Sequence, residues 1–193
     1  MDAAVSAPVS RLSYDGRLDS HPSTRARQLA GVAPGLEPVR VRHLGNATSS
    51  VEEARAVTGI VRETLGAQWD DGGGSPRPLD QSDVIMVTPY NAQVDMVRAT
   101  LDAAGLSDVR VGTVDKFQGQ QAVVSIMTLA ASSAAEVPRG ISFLLMKNRL
   151  NVAISRAKWK AYLVYSPDLL EHLPSTPQAL AEMSAFAGLV EER

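Results

Sequence analysis

The chain has 193 residues, of which 45% are apolar and 21% charged, and a formal net charge of -2. That composition suits one globular domain with a single core, and it excludes both a disordered charged tail and a protein that attracts polyanions through its overall charge. With no cysteine there is neither a disulfide frame nor a thiolate metal site, no run reaches membrane-spanning length, and MDAAVSAPVSR lacks the regions of a secretion signal; the expected setting is cytoplasmic, away from membranes.

Residues 1–48 carry little periodicity and read as a loop-rich segment of the same domain. VAPGLEP is a loop by its prolines and glycine, and VRVRHL (39–44) alternates like a short strand. SSVEEARAVTGIVRETLG starts a helix with a capping-box signal, Ser49 with Glu52 or Ser50 with Glu53; Val51, Ala54, Val57, Val61 and Leu65 form its apolar face. Residues 70–80, DDGGGSPRPLD, are expected to be a flexible surface connection. DVIMVTP (83–89) suits a buried parallel strand, and YNAQVDMVRATLDAAG a helix that Pro89 starts and Thr88 or Asn91 caps.

Further strands are expected at VRVGTV, AVVSIMTL (122–129) and KAYLVYS (160–166), with NRLNVAISRA helical before the last. Leu180, Met183, Phe186 and Leu189 sit at helical spacing in a closing helix over 174–193. Strands alternating with helices predict an α/β domain with a mainly parallel sheet, in which ligands meet the loops at the carboxyl ends of the strands.

Three polar clusters fall at or after such ends: TPYNAQ, TVDKFQGQQ and NRLNVAISRAK. In the last, Leu150, Ala153, Ile154 and Ala157 make one packing side, while Arg149 and Arg156 share another, about two turns apart. Two guanidiniums in a row suit a polyphosphate, because each is a fork of donors that keeps its charge. In the middle cluster Phe117 is the expected inward anchor, and the glycine lets the backbone bend or approach a ligand.

In this order the clusters resemble the second RecA-like domain of superfamily 1 helicases, in the branch of the RNA-surveillance and Okazaki-fragment-processing helicases. VTPYNAQV is similar to that branch's motif IV region, VGTVDKFQGQQAVVSI to motif V, and RLNVAISRAK to motif VI, all within residues 83–166 of a domain spanning 49–193. More weakly, SRLSYDGRL…HP is similar to a segment of bacterial relatives, some fused to RecB-type nucleases. The resemblance implies a RecA-like P-loop NTPase fold. It makes Arg156 an arginine finger on the γ-phosphate and Arg149 a second cation beside it. Gln118, Gly119 and Gln121 would line the nucleotide cleft, and Thr88, Tyr90, Asn91, Gln93 and Thr113 would contact nucleic acid. Where the family has glutamate for the ribose, this chain has Gln121, which accepts a hydrogen bond without the charge.

No G-x-x-x-x-G-K-[ST] occurs, nor an apolar strand ending in Asp-Glu. ATP and Mg2+ would therefore be held mainly by a partner, the first RecA-like domain, and the chain alone is expected not to hydrolyse ATP. The second partner is a single strand of DNA or RNA, with DNA favoured from the bacterial flavour of the resemblance. A truncated or degenerate binding module without turnover is the alternative; a small-molecule enzyme on a doubly wound sheet lacks any proton-transfer constellation. His21, His43 and His172 are isolated in sequence, and Trp69 and Trp159 read as packing residues.

Overall fold

Five strands, in spatial order Gly35–Arg40, Ala157–Tyr165, Ala122–Thr128, Val84–Thr88 and Arg110–Thr113, align in parallel to form the centre of the molecule. A computed structural model describes residues 1–13, 16–17, 20–117 and 119–191. In chain order the described elements are α1 (Ala3–Ser13), β1 (Gln28–Leu29), β2 (Gly35–Arg40), α2 (Val51–Thr64), β3 (Gln68–Asp70), β4 (Arg77–Pro78), β5 (Val84–Thr88) and α3 (Asn91–Ala103). They continue with β6 (Arg110–Thr113), β7 (Ala122–Thr128), α4 (Ile141–Leu145), α5 (Lys147–Ser155), β8 (Ala157–Tyr165) and α6 (Pro177–Glu191). The expected α/β class, with a parallel sheet flanked by helices, is borne out.

The period of two along each strand divides the core into two layers. On β5, Ile85 and Val87 face a layer with Val5 and Val9 of α1, Leu150 and Ile154 of α5, and Phe186 of α6. Val84 and Met86 face the other, with Ala54, Val57 and Val61 of α2 and Val97 and Leu101 of α3. Each strand of the centre is covered on both sides, which is why VIMVT reads as an unbroken apolar run. Met183, Phe186 and Leu189 of the closing helix are buried as expected, while Leu180 is half exposed.

Outside α2, the first eighty residues depart from the expectations. Ala3–Ser13 is a helix, although Pro8 inside it reads as a breaker. Its buried Val5, Val9 and Leu12 join the core layer of α5 and β8, so tertiary packing overrides weak local preference. The strand expected at 39–44 lies instead at Gly35–Arg40, through Pro38; as the edge strand of the sheet it tolerates that proline, which lies opposite Leu163. Residues 70–80 are not merely a connection: they run from the last residue of β3 through β4, and these two strands form a small antiparallel sheet with β1. Trp69 on β3 meets Trp159 on β8 edge-on at 6.1 Å, and the Trp159 Nε1–H donates to Val32 O. Both tryptophans pack, as the sequence reading expects.

A buried polar network ties the ends of these elements together. Glu53, completely buried on the first turn of α2, places Oε1 3.1 Å from His43 Nε2 and accepts at Oε2 from the Ala130 N–H. His43 Nδ1 lies 2.7 Å from Ser132 Oγ. Ala130, at φ 66°, is the one non-glycine among the described residues with positive φ, so the chain leaving β7 is bent toward this carboxylate. Ser50 caps α2 through its Oγ, as the capping box requires, but Glu53 does not return the bond. The Ser50 N–H donates to Gln93 Oε1 instead, and Gln93 Nε2 donates back to Ser50 O. His43 is therefore anything but isolated.

Burial raises the Glu53 carboxyl above its ordinary range, against the opposing pull of His43 and the Ala130 N–H. Glu52 is held below its ordinary value by its own backbone N–H, with Ser50 and Asn46 assisting. Removing one partner of a buried, hydrogen-bonded pair costs about 3–5 kcal/mol. Glu53→Ala is accordingly expected to lower the urea-unfolding free energy by that amount, and a loss below about 1 kcal/mol would show the network to be dispensable. Glu52 stabilises the fold above its ordinary value of 4.5 and loses that contribution as pH falls through its lower folded value, so Glu52→Gln should flatten the acid limb of the stability profile.

Candidate functional site

Strands β5 and β6 end side by side, with Thr88 in register with Thr113. Just beyond these carboxyl ends lies a cavity of about 420 Å³. Tyr90 and Asn91 line it from the start of α3, Thr113 from the end of β6 and Asp115 from the turn that follows. Arg139 and Phe143 contribute from the segment after β7, and Arg149 from the first turn of α5. Four residues expected at functional sites, Tyr90, Asn91, Thr113 and Arg149, thus meet in one place.

The cavity is rich in unneutralised donors. Arg149 holds its Cζ 3.7 Å from the Phe143 ring centroid, and Arg139 sits 4.9 Å from the same ring. Among the described residues neither guanidinium has a hydrogen bond or an ion pair. The α3 helix begins here with no side chain capping it, contrary to the expected Thr88 or Asn91 cap, so the partial positive charge of its first turn faces the same space. Asp115 is the opposing charge on the wall. The Tyr90 hydroxyl is buried without a partner and its ionisation is pushed up by burial, with Arg149 and Arg139 pulling the other way.

Arg156 is elsewhere. It is the residue at which α5 ends, its carbonyl accepts from the Ala122 N–H, and Ala157 pairs with Ala122 at the amino end of β7. Its guanidinium turns back on the helix end, donating to Val152 O, Ser155 Oγ and Gln120 O. Nearby, Arg110 at the start of β6 donates to Gln120 Oε1 and to the Ser82 carbonyl. Gly119 and Gln121 are exposed in this loop, and Gly119 has φ 80°.

These positions correct part of the sequence reading. Arg149 and Arg156 do not stand beside each other: seven helical residues span about 10.5 Å, and α5 runs from the carboxyl edge of the sheet back to its amino edge. Gln93 is fully buried with both ends of its amide on Ser50, so it braces two helix starts rather than reaching a ligand. Thr88 is also fully buried, beneath the cavity floor. Gln118 lies outside the described residues. Arg139 and Phe143 escaped the sequence reading because VPRGISF looks like an ordinary loop; only the third dimension brings them to Arg149.

A family model described as an AAA domain matches residues 1–168. The chain belongs to that family. Similar curated proteins are helicases: the DNA polymerase alpha-associated DNA helicase A of Schizosaccharomyces pombe, 44% identical over 80 residues, and the human RNA helicase Mov10l1, 34% identical over 114. The Arabidopsis thaliana DNA replication ATP-dependent helicase/nuclease JHS1 is 27% identical over 147 residues. These alignments cover 42%, 58% and 75% of this chain but only 12%, 9% and 10% of the relatives, so the chain spans about a tenth of their length. The C-terminal domain of a possible DNA helicase from a Lactobacillus superposes with a TM-score of 0.48 at 10% identity, covering 91% of this chain and 88% of that one. The resemblance to the C-terminal RecA-like domain of superfamily 1 helicases is borne out.

The AAA domain positions Thr113 through the turn that follows it, Val114–Phe117, whose Phe117 is buried as expected. Gly112 leaves no room for a side chain: a Cβ there would meet Lys116 Cδ at 2.5 Å and Phe117 Cε2 at 3.2 Å. Gly112→Ala should therefore destabilise the domain by about 1–3 kcal/mol. Thermal unfolding reads this directly, and an unchanged Tm would show that the turn yields freely.

Proposed function

We propose that this chain is the C-terminal half of an ATP-dependent helicase motor, with its two working surfaces at opposite ends of α5. The carboxyl-edge cavity holds the backbone of a single strand of nucleic acid. The carrying observation is the pair Arg149 and Arg139, both without carboxylate partners, beside the uncapped start of α3 and the Thr113 hydroxyl. The names of the relatives include both DNA and RNA helicases, so the proposal takes in either strand; a preference for DNA would rest only on the bacterial flavour of the sequence resemblance.

At the other end, Arg156 is the candidate arginine finger, with Gly119 and Gln121 on the neighbouring loop before β7, which it touches at Gln120 O. This corner offers donors, Arg156 and Arg110 together with the Gln120 and Gln121 amides, that fit the outer oxygens of a polyphosphate. Among the described residues no cluster of His, Asp or Glu could hold a metal ion. The donor set thus fits the terminal phosphate of ATP but neither Mg2+ nor the whole triphosphate, and we assign both to a first RecA-like domain. When bound there, ATP with Mg2+ supplies the phosphoryl group whose developing charge a finger stabilises. For that role Arg156 leaves Val152 O and Gln120 O and turns outward, which makes domain closure and loss of its helix-end bonds one event. A binding module without turnover is the second reading, favoured by Gln121 and by the folded-back guanidinium.

Two measurements divide the surfaces. Fluorescence anisotropy with a labelled single-stranded oligonucleotide should show binding that weakens as salt rises. Arg149→Ala should reduce it several-fold while Arg156→Ala leaves it unchanged; equal effects would refute the division. The chain alone should show no ATPase, and joining it to a first RecA-like domain bearing a Walker lysine should yield turnover. Arg156→Ala is then expected to remove roughly 10³-fold or more of the rate. Turnover indifferent to Arg156 would favour the module.

A further inference from the structure

The amino edge of the sheet carries a second cavity, of about 550 Å³, that neither proposed surface uses. It lies where β8 begins and the chain turns into β2, and Arg25, Arg27, Val32, Ala33 and Trp159 line it. Leu29 and Trp159, also on its wall, belong to the core layer of α2 and α3, whereas α5, which carries Arg156 at its end, packs on the other face of the sheet. Among the described residues no carboxylate lines the cavity, and the side chains of Arg25 and Arg27 have neither a hydrogen bond nor an ion pair. The neighbouring strand β3 ends on Asp70, opposite Gln28, with Asp71 after it. These carboxylates accept from the Gly72 and Gly73 N–H groups and form no ion pair with either arginine. Arg27 is half-buried, with Nε and Nη1 sealed from solvent and lacking an acceptor, which is a costly state for a charged donor.

We propose that this cavity binds a small phosphomonoester, with Arg27 as the anchor and Arg25, exposed on the turn Pro22–Ala26, as the cation at the rim. The site is independent of the strand and finger readings. Two guanidiniums carry two positive charges, and a phosphomonoester at neutral pH carries about -1.5 to -2. A carboxylate, or the single diester phosphate of a nucleic-acid link, would neutralise only one of them. Guanidinium forks also suit an oxyanion, and Arg27 gains from one even without contact at its buried nitrogens, because attraction is strong where water is excluded. The volume exceeds what a phosphate alone needs and falls in the range of small-ligand sites. Val32, Ala33 and the accessible edge of Trp159 give the organic part an apolar wall. That wall is preformed: the Trp159 Nε1–H is held at 2.7 Å by Val32 O, and its ring rests against Trp69, so little ordering is left for a ligand to impose.

The test titrates the nitrogen-15-labelled chain with phenyl phosphate at constant ionic strength. Shifts are expected at the amides of Arg27, Gly31 and Ala33 and at the Trp159 indole N–H. Arg27→Gln should weaken binding about tenfold and Arg25→Gln about threefold, the smaller effect reflecting exposure. Because Arg27 has no partner within the chain, Arg27→Gln should not lower the Tm. A lowered Tm would show that Arg27 serves the fold and would overturn its assignment as the anchor. Silence at these amides, or equal binding by the parent chain and both variants, would overturn the site. Benzoate binding as tightly as phenyl phosphate would reduce it to general attraction for anions. A ten-thymidine strand without a terminal phosphate that moves the same amides more strongly would give this surface to a nucleic-acid backbone and likewise overturn the proposal.

Discussion

A single buried carboxylate constrains the geometry on which the rest of the molecule relies. Glu53 reaches from the first turn of α2 to His43, which follows β2, and to the Ala130 N–H, which follows β7. Through Ser50 and Gln93 the same turn is joined to the start of α3. Every one of these points lies at the carboxyl edge of the sheet, where loops would otherwise be set only by their own weak preferences. The charge is costly to bury, as the upward push on its ionisation shows, and its partners offset that cost only in one arrangement. The walls of the cavity, from Thr48 to Asn91, are thereby fixed relative to the strands beneath them.

Above that fixed edge, α5 is the element that relates the two proposed surfaces. Its apolar side, Leu150, Ala153 and Ile154, is fully packed against the sheet, so the helix has little freedom to rock by itself. A change at Arg156 is transmitted to Arg149 as a movement of the whole helix or not at all. Helix-end bonds from Arg156 and the ring contact of Arg149 are then the two places where such a movement is opposed. That arrangement suits a motor half in which contact with a nucleotide at one end alters the grip on a strand at the other.

The centre of the fold was legible in the sequence because it obeys local rules. Continuous apolar runs gave β5 and β7, and helical spacing gave α2, α3 and α6. The edges were not. Pro8 and Pro38 both read as breakers, yet one sits inside a helix docked on the core and the other in an edge strand that lacks a second partner. Tyr90, Asn91 and Thr113, which line one cavity, were legible as candidates because they end a strand or come just after one. Gln93, one residue beyond Ala92, was misjudged: its amide satisfies a serine 43 positions earlier, a pairing no local pattern reveals. Arg149 and Arg156 share a helix face, but a face says nothing of which end of the sheet each will occupy. His43 and Glu53 likewise acquire meaning only through Ala130 and Ser132, far along the chain.

The most direct test of the central claim is an amide chemical-shift map of the nitrogen-15-labelled chain titrated with a short single-stranded oligonucleotide. Shifts should gather at Asn91, Thr113, Arg139 and Phe143, while Gln120, Gln121 and Ala157 stay in place. Perturbation concentrated at Gln120, Gln121 and Arg156, with the carboxyl edge silent, would contradict the account.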